Sequence, residues 1–228
     1  MIIILFPTAR PKVCKRVIRR WIKDARDKAS ILVKFVVDTR DHERILSDLE
    51  LECKYDVTVC DSVRSGVTYP LYYLTSRLEA NDEDIIILAS DDFYTRRGWD
   101  DYVREKYKDF DGLLVTRDGI QDSKDKRVVT HPILTFNCLK QLNRIIYNPV
   151  YHHMCSDVEL FDVAEDLGII LDTRGSNDTS YFEHRHYMNE RRNLDDVDRK
   201  VLAIQDRDKM IYAMRKLQLS TKEKLKVK

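Results

Sequence analysis

Two adjacent carboxylates, Asp91 and Asp92, stand directly after an unbroken apolar run at residues 85–89. Side by side at the end of a buried strand they repel each other, and a cation or a set of donors must offset that cost. Hard divalent ions such as Mg²⁺ and Mn²⁺ bind oxygen clusters of this kind and complete their shells with phosphate oxygens and water. The same pair would also suit the first turn of a helix, where acids meet the positive end of the dipole. Late in the chain, His184-Arg185-His186 sets two imidazoles at i, i+2, which an extended segment points the same way. Either they approach one site as neutral nitrogen ligands or they are solvated in a charged loop. His152 and His153 are adjacent and diverge in an extended chain, which fits the lining of a substrate site or plain surface better than a metal. Ser156 and Glu159 have the spacing of a capping box at the head of a helix, with Asp157 between them.

The elements that would position these groups alternate in period. Residues 2–6, 31–37, 55–60 and 85–89 are short apolar or β-branched runs, each suited to a strand, and the first is ended by Pro7. Between them, residues 12–26, 42–49 and 66–79 carry apolar positions at helical spacing, with Val13, Val17, Ile18, Trp21, Ile22 and Ala25 on one face of the first. Strand–helix alternation of this kind builds right-handed crossovers on a mostly parallel sheet, and such sheets bind ligands beyond the carboxyl ends of their strands. The polar residues after each strand are then the ones to watch: Thr8 to Arg10, Asp38, residues 61–64, and Asp91 with Asp92. The second half is more mixed. It predicts helices at 99–110, 132–142, 156–167 and 197–217, strands at 113–116 and 169–171, a turn-rich stretch at 121–127, and irregular chain at 172–189.

Composition narrows the class. Of 228 residues, 43% are hydrophobic and 35% charged, and the formal net charge of +1 excludes a uniformly basic nucleic-acid coat. Six glycines and five prolines exclude collagen-like and low-complexity chains. Five cysteines with no C-x-x-C pair indicate free thiols in a reducing compartment, so a cytoplasmic location is expected and the sequon at 177–179 is set aside. The apolar start at residues 1–6 is too short for a membrane span and lacks the flanks of a signal peptide. No G-x-G-x-x-G follows the first strand and no Walker A sequence occurs, which argues against the common dinucleotide and P-loop folds.

The run Ile85-Ile86-Ile87-Leu88-Ala89-Ser90-Asp91-Asp92-Phe93, followed by Gly98-Trp99-Asp100, resembles the metal-binding segment of nucleotide-sugar glycosyltransferases with the GT-A fold, closest to family 2. Arg64-Ser65-Gly66 upstream is similar to the same family's spacing, and the resemblance spans residues 2 to about 186. The sequence departs from the family's D-x-D-type motif at its first position, which is Ser90. The resemblance therefore implies Asp92 as the metal ligand, with Asp91 beside it in the nucleotide-sugar site. It further implies that Pro7, Thr8, Ala9 and Arg10 contact the base and diphosphate, that Asp38 faces the uracil or ribose, and that Arg64 reaches the base or phosphates. Ordinary solvated charge is the competing reading of Arg10 and Arg64. His184 and His186 would complete the Mn²⁺ or Mg²⁺ site. Residues 155–159 resemble the segment that holds the general base of inverting members; with Glu159 assigned to the capping box, Asp157 is left as that base.

The expected architecture is an α/β, Rossmann-type, GT-A-like sheet flanked by helices. Residues 1–196 would form the catalytic domain, with a nucleotide-sugar-binding half at 1–93 and an acceptor-binding half at 94–196. Residues 197–228 would form a C-terminal helix and basic tail. From 207 to 228 there are eight Lys/Arg against two Asp/Glu, either a solvated helix end or a contact for an anionic acceptor. The expected activity is metal-dependent transfer of a sugar from a nucleoside-diphosphate donor, a UDP-sugar by the family's habit, with inversion. The acceptor, a saccharide, a protein hydroxyl or a hydroxymethylated DNA base, stays open. The rivals are a sugar-nucleotide nucleotidyltransferase, disfavoured because residues 6–10 lack a glycine-rich phosphate loop, and a non-catalytic nucleic-acid-binding module.

Overall fold

A computed structural model describes residues 1–60, 66–124, 126–176, 179–185 and 194–227. The first half follows the expected alternation: β1 (Ile2–Pro7), α1 (Pro11–Asp24), β2 (Ile31–Val37), α2 (Arg40–Ser47), β3 (Lys54–Val59), α3 (Thr68–Thr75) and β4 (Ile85–Leu88). It continues through β5 (Phe93–Thr95), α4 (Trp99–Lys106), β6 (Leu113–Val115), β7 (Ile133–Thr135), α5 (Phe136–Gln141), α6 (Ser156–Asp166), β8 (Ile170–Asp172) and β9 (Phe182–His184). α7 (Asp196–Gln218) and a short α8 (Thr221–Lys224) close the described chain.

Seven strands form one sheet in the order β3-β2-β1-β4-β7-β6-β8. β1, β2, β3 and β4 are mutually parallel where they pair, and β7 runs antiparallel between β4 and β6. β1 and β4 are buried on both faces, and for that reason their sequences read as continuous aliphatic runs rather than alternating ones. Ile2, Ile4 and Phe6 pack with Val17, Ile18 and Trp21 of α1 on one face; Ile3 and Leu5 pack with Leu71 and Leu74 of α3 on the other. The core is therefore two layers of side chains divided by the sheet. Two indoles tie the first layer to β5 and α4: Trp21 Nε1 donates to the Phe93 carbonyl and Trp99 Nε1 to the Trp21 carbonyl, each at 2.9 Å.

The second half departs from the sequence expectation in three places. Residues 132–142 are not one helix. Ile133, Leu134 and Thr135 form β7, and Thr135 then caps α5 by accepting the Cys138 N–H at 3.0 Å. Phe136, Leu139 and Leu142 do follow the buried side of α5, and Ile133, in a strand buried throughout, continues their spacing only by coincidence. The stretch 172–189 holds β8's last residue and β9, which pairs antiparallel with β5 in a separate two-stranded sheet. Nor does the capping box at Ser156 form. Cys155, at φ 65°, is the N-cap of α6, so Ser156 already lies inside the helix and donates its hydroxyl to the His153 carbonyl. Glu159 turns inward and accepts from Tyr151 Oη at 2.8 Å and from Arg215 Nε and Nη2 at 2.8 and 3.0 Å.

That pair fastens α7 to α6. Asp208 on α7, fully buried, accepts the amide hydrogens of His152, His153 and Met154. The basic tail is stitched on as well: Asn148 and Arg215 donate to the Lys224 carbonyl, and Lys224 itself is buried. The Glu159–Arg215 pair is 5% and 14% exposed. Removing one partner of a buried pair strands the other, so Glu159→Ala should cost about 3 kcal/mol of stability, read by urea unfolding. A loss within experimental error would show that α7 is not held through this pair.

Candidate functional site

The strand order reverses beside β1, which has β2 on one side and β4 on the other. In an open α/β sheet such a reversal leaves a crevice outside the carboxyl ends of the two strands. Pro7, Thr8, Ala9 and Arg10 leave β1 there, and Ser90, Asp91 and Asp92 leave β4 there. Thr8 is anchored by its N–H to the Val36 carbonyl, and its Oγ1 accepts the Arg10 N–H at 2.9 Å. The chain turns on that contact, and Pro11 starts α1. Ala9 is exposed and Pro7 half-buried at the rim.

Arg10 is not ordinary solvated charge. Its Nη1 donates to Asp91 Oδ1 at 3.1 Å, and its Nη2 to Asp195 Oδ1 and Asp198 Oδ1 at 2.8 and 2.7 Å. Asp195 is the N-cap of α7 and shares a capping box with Asp198. One guanidinium thus joins the ends of β1 and β4 to the start of the C-terminal helix. Burial pushes the Asp91 carboxyl up to about 6; Arg10 opposes the rise and Asp92 adds to it.

Asp92 faces the other way. It accepts from Ser90 Oγ, and its Oδ2 lies 3.2 Å from His184 Nε2. The imidazole arrives there because β9 pairs with β5 in a register that sets His184 opposite Phe93. The two rings stack at 4.3 Å, and Phe93 stacks on buried His131 at 4.6 Å. Burial holds the His131 imidazole down to about 3, hence neutral. On its far side His184 Nδ1 faces Asp118 Oδ2 at 3.7 Å, and the His184 N–H donates to the Asp118 carbonyl at 2.7 Å. Asp118 is itself buried and accepts from the Ile120 and Gln121 amides and from Thr130 Oγ1. Burial would raise its carboxyl, but His184 and those donors take it down to about 2. Burial would likewise lower His184, yet the two flanking carboxylates lift it to about 9.

Asp157 sits in the first turn of α6. Burial raises its carboxyl above the ordinary range, against the pull of the Val158 amide, and the charge of His184 reaches it. Asp92 and His184 are in contact, and among the described residues Asp157 is related to them only through the charge of His184. Asp38 follows β2 as expected but is exposed, 2.6 Å from His42 Nδ1, and contacts none of the others. Arg64 and His186 lie outside the described residues. Asp118, Asp195 and Asp198 were missed by the sequence reading. Asp118 does carry a signal in the sequence: it lies just beyond β6, at a carboxyl strand end like those of the parallel half.

Among the described residues no three His, Cys, Asp or Glu side chains are grouped to hold a metal ion. Asp92 and His184 do converge as one oxygen and one nitrogen donor. Mg²⁺ and Mn²⁺ accept few protein ligands and fill the rest with phosphate oxygens and water. Once His184 gives up the proton that its two carboxylate neighbours hold on it, the donor pair fits such an ion, and Asp118 behind His184 fits the outer partner that orients a ligating imidazole. Among the described residues no helix is long and apolar enough to cross a membrane.

No family model matches the sequence, and no curated protein does. Solved structures match the fold. TarS of S. aureus, residues 1–349 with UDP, aligns over 100% of this chain and 75% of its own, with a TM-score of 0.65 and 13% identity. Glucosyl-3-phosphoglycerate synthase from Mycobacterium tuberculosis, with Mn²⁺, UDP and phosphoglyceric acid, aligns over 96% and 79%, with a TM-score of 0.59 and 10% identity. Mannosyltransferase PcManGT from Pyrobaculum calidifontis, with GDP-Man and Mn²⁺, aligns over 75% and 53%, with a TM-score of 0.57 and 11% identity. In another structure of TarS 1–349, the chain spans 60% of that protein's length. The fold is GT-A-like.

Proposed function

We propose that the chain is a glycosyltransferase that moves a sugar from a nucleoside-diphosphate donor, a UDP-sugar, to an acceptor hydroxyl. The observation that carries this reading is the convergence of Asp92 and His184 at the β1/β4 crevice, with the Arg10–Asp91 pair beside it. The structural neighbours' complexes with UDP, GDP-Man and Mn²⁺ support it.

Asp92 and His184 would hold Mn²⁺ or Mg²⁺, with His186 as a second imidazole. When bound, the ion neutralises the charge that develops on the departing diphosphate. Residues 7–10 would line the nucleotide, and Arg10 would turn part of its guanidinium from the α7 carboxylates toward the phosphates. Asp157 would act as general base. Its carboxylate takes the acceptor hydroxyl proton as that oxygen bonds to the anomeric carbon; the bond from that carbon to the β-phosphate oxygen breaks, and the nucleoside diphosphate leaves with configuration inverted. A carboxyl raised by burial is a stronger base than a solvated one, which favours Asp157 for the task. Glu159 is committed to Arg215 and Tyr151 and is unsuited to it.

The test is a thermal-shift measurement with UDP. Because a ligand that binds only the folded state stabilises it by mass action, UDP with Mn²⁺ should raise the melting temperature, and UDP with EDTA should not. Equal shifts with and without the ion would overturn the metal-bridged site; no shift in either condition would overturn nucleotide binding.

A further inference from the structure

We propose that the outer face of α1 is a docking surface for duplex nucleic acid, separate from the crevice. Lys12, Lys15, Arg16, Arg19, Arg20 and Lys23 recur at i, i+3, i+4, i+7, i+8 and i+11 and form one stripe along the helix. At 1.5 Å per residue the stripe is about 16 Å long. All but half-buried Lys15 are exposed. The opposite face, with Cys14, Val17, Ile18, Trp21 and Ile22, is sunk in the core, so the helix cannot turn to hide its charge.

Only Arg20 has a carboxylate partner, Asp24 at 3.3 Å; Lys12, Lys15, Arg16, Arg19 and Lys23 have none among the described residues. No acid occupies the first turn. Like charges at i, i+4, as in 12/16, 15/19, 16/20 and 19/23, work against a helix, as does a lysine near its N-terminus. A chain of net charge +1 has concentrated cations here at a cost to local stability. Exposed Arg96 and Arg97 extend the positive region, because the Gly98 N–H donates to the Asp24 carbonyl and brings that loop to the end of α1.

The chemistry of the stripe selects the partner. Its cations are not interleaved with apolar groups: the large exposed apolar side chains, Met1, Val150, Leu167, Met210, Met214, Leu217 and Val227, all lie elsewhere. A helix that lies in a membrane needs an apolar face to insert, and α1 has already buried its own. Single strands are held by aromatic stacking; α1's one aromatic, Trp21, is buried, and the ring of half-buried Tyr94 beside the stripe is already covered by Arg20 and Arg185. A duplex backbone needs neither. It offers a continuous line of phosphates that lysine and forked arginine groups neutralise without reading sequence.

Fluorescence anisotropy with a labelled mixed-sequence DNA duplex tests this on the full chain. Five to six phosphate contacts predict a log–log salt slope of about −5, roughly a 10³-fold loss of affinity between 50 and 200 mM salt. The triple variant Arg16→Gln/Arg19→Gln/Lys23→Gln should flatten the slope by about 2.7 units. Its unfolding temperature should hold or rise slightly as the like-charge pairs are relieved, and its UDP–Mn²⁺ shift should not change, which separates this surface from the nucleotide site. The proposal is overturned if the native chain does not bind the duplex, if the triple variant binds with the same affinity and slope, or if phosphatidylserine vesicles take up the native chain in preference to the duplex.

Discussion

Asp92→Asn is expected to remove metal-dependent UDP binding, and His184→Ala to do the same. Both side chains meet at 3.2 Å in the crevice, and each would contribute a donor atom to the ion. Asp118→Asn supplies the internal scale. The Asp118 carboxylate faces the imidazole of His184 from its Nδ1 side, away from Asp92, and loss of such an outer partner lowers metal affinity by roughly 10–100-fold. Loss of a direct ligand should exceed that. Calorimetric titration of Mn²⁺ in the presence of UDP gives all three values. If Asp92→Asn binds Mn²⁺ as tightly as the native chain, the ion does not sit between Asp92 and His184. If Asp118→Asn is unaltered, the imidazole is oriented by its stacking on Phe93 instead.

Asp157→Asn should lower sugar transfer by roughly 10²–10⁴-fold, the usual worth of a positioned base. The substitution keeps the size and removes the proton acceptor, so the UDP–Mn²⁺ thermal shift should survive it. UDP release across a panel of UDP-sugars and acceptor alcohols measures the rate. Glu159→Gln provides the contrast. It should weaken the hold on Arg215 and lower the unfolding temperature, while the folded chain should keep the proposed transfer rate. If Asp157→Asn transfers normally, the proton goes elsewhere and an inverting mechanism through this carboxylate is wrong.

The parallel half of the sheet was legible because its strands are buried on both faces. A run such as residues 85–88 admits only apolar side chains, and the polar residues just beyond it stand out by contrast. The acidic pair, Arg10 and the helical face of α1 were all visible on those grounds. Elements set by tertiary contact were not. Three-residue strands carry little pattern: β6 and β8 were legible from their aliphatic runs, whereas β5 and β9 were not and β7 was read as part of a helix. The start of α6 depends on a left-handed Cys155, which no propensity indicates, and this moved Ser156 and Glu159 out of their apparent capping roles. The sequence reading also split Arg10 from the C-terminal helix, because nothing local links residue 10 to residues 195 and 198. Only the folded chain shows that one cation serves both.

The pairing of β5 with β9 has a consequence for the order in which the site is built. Asp92 is in place once β4 has joined β1, whereas His184 lies 92 positions further along the chain. Contacts between such distant segments require a long loop to close before they are rewarded, so they form slowly relative to local ones. The oxygen donor is thus delivered by the framework and the nitrogen donor by the last crossing of the chain. If the proposed site holds an ion, its binding would report that β9 has been laid against β5, and a chain whose sheet is formed but whose crossing is not would carry a carboxylate at the crevice without its imidazole.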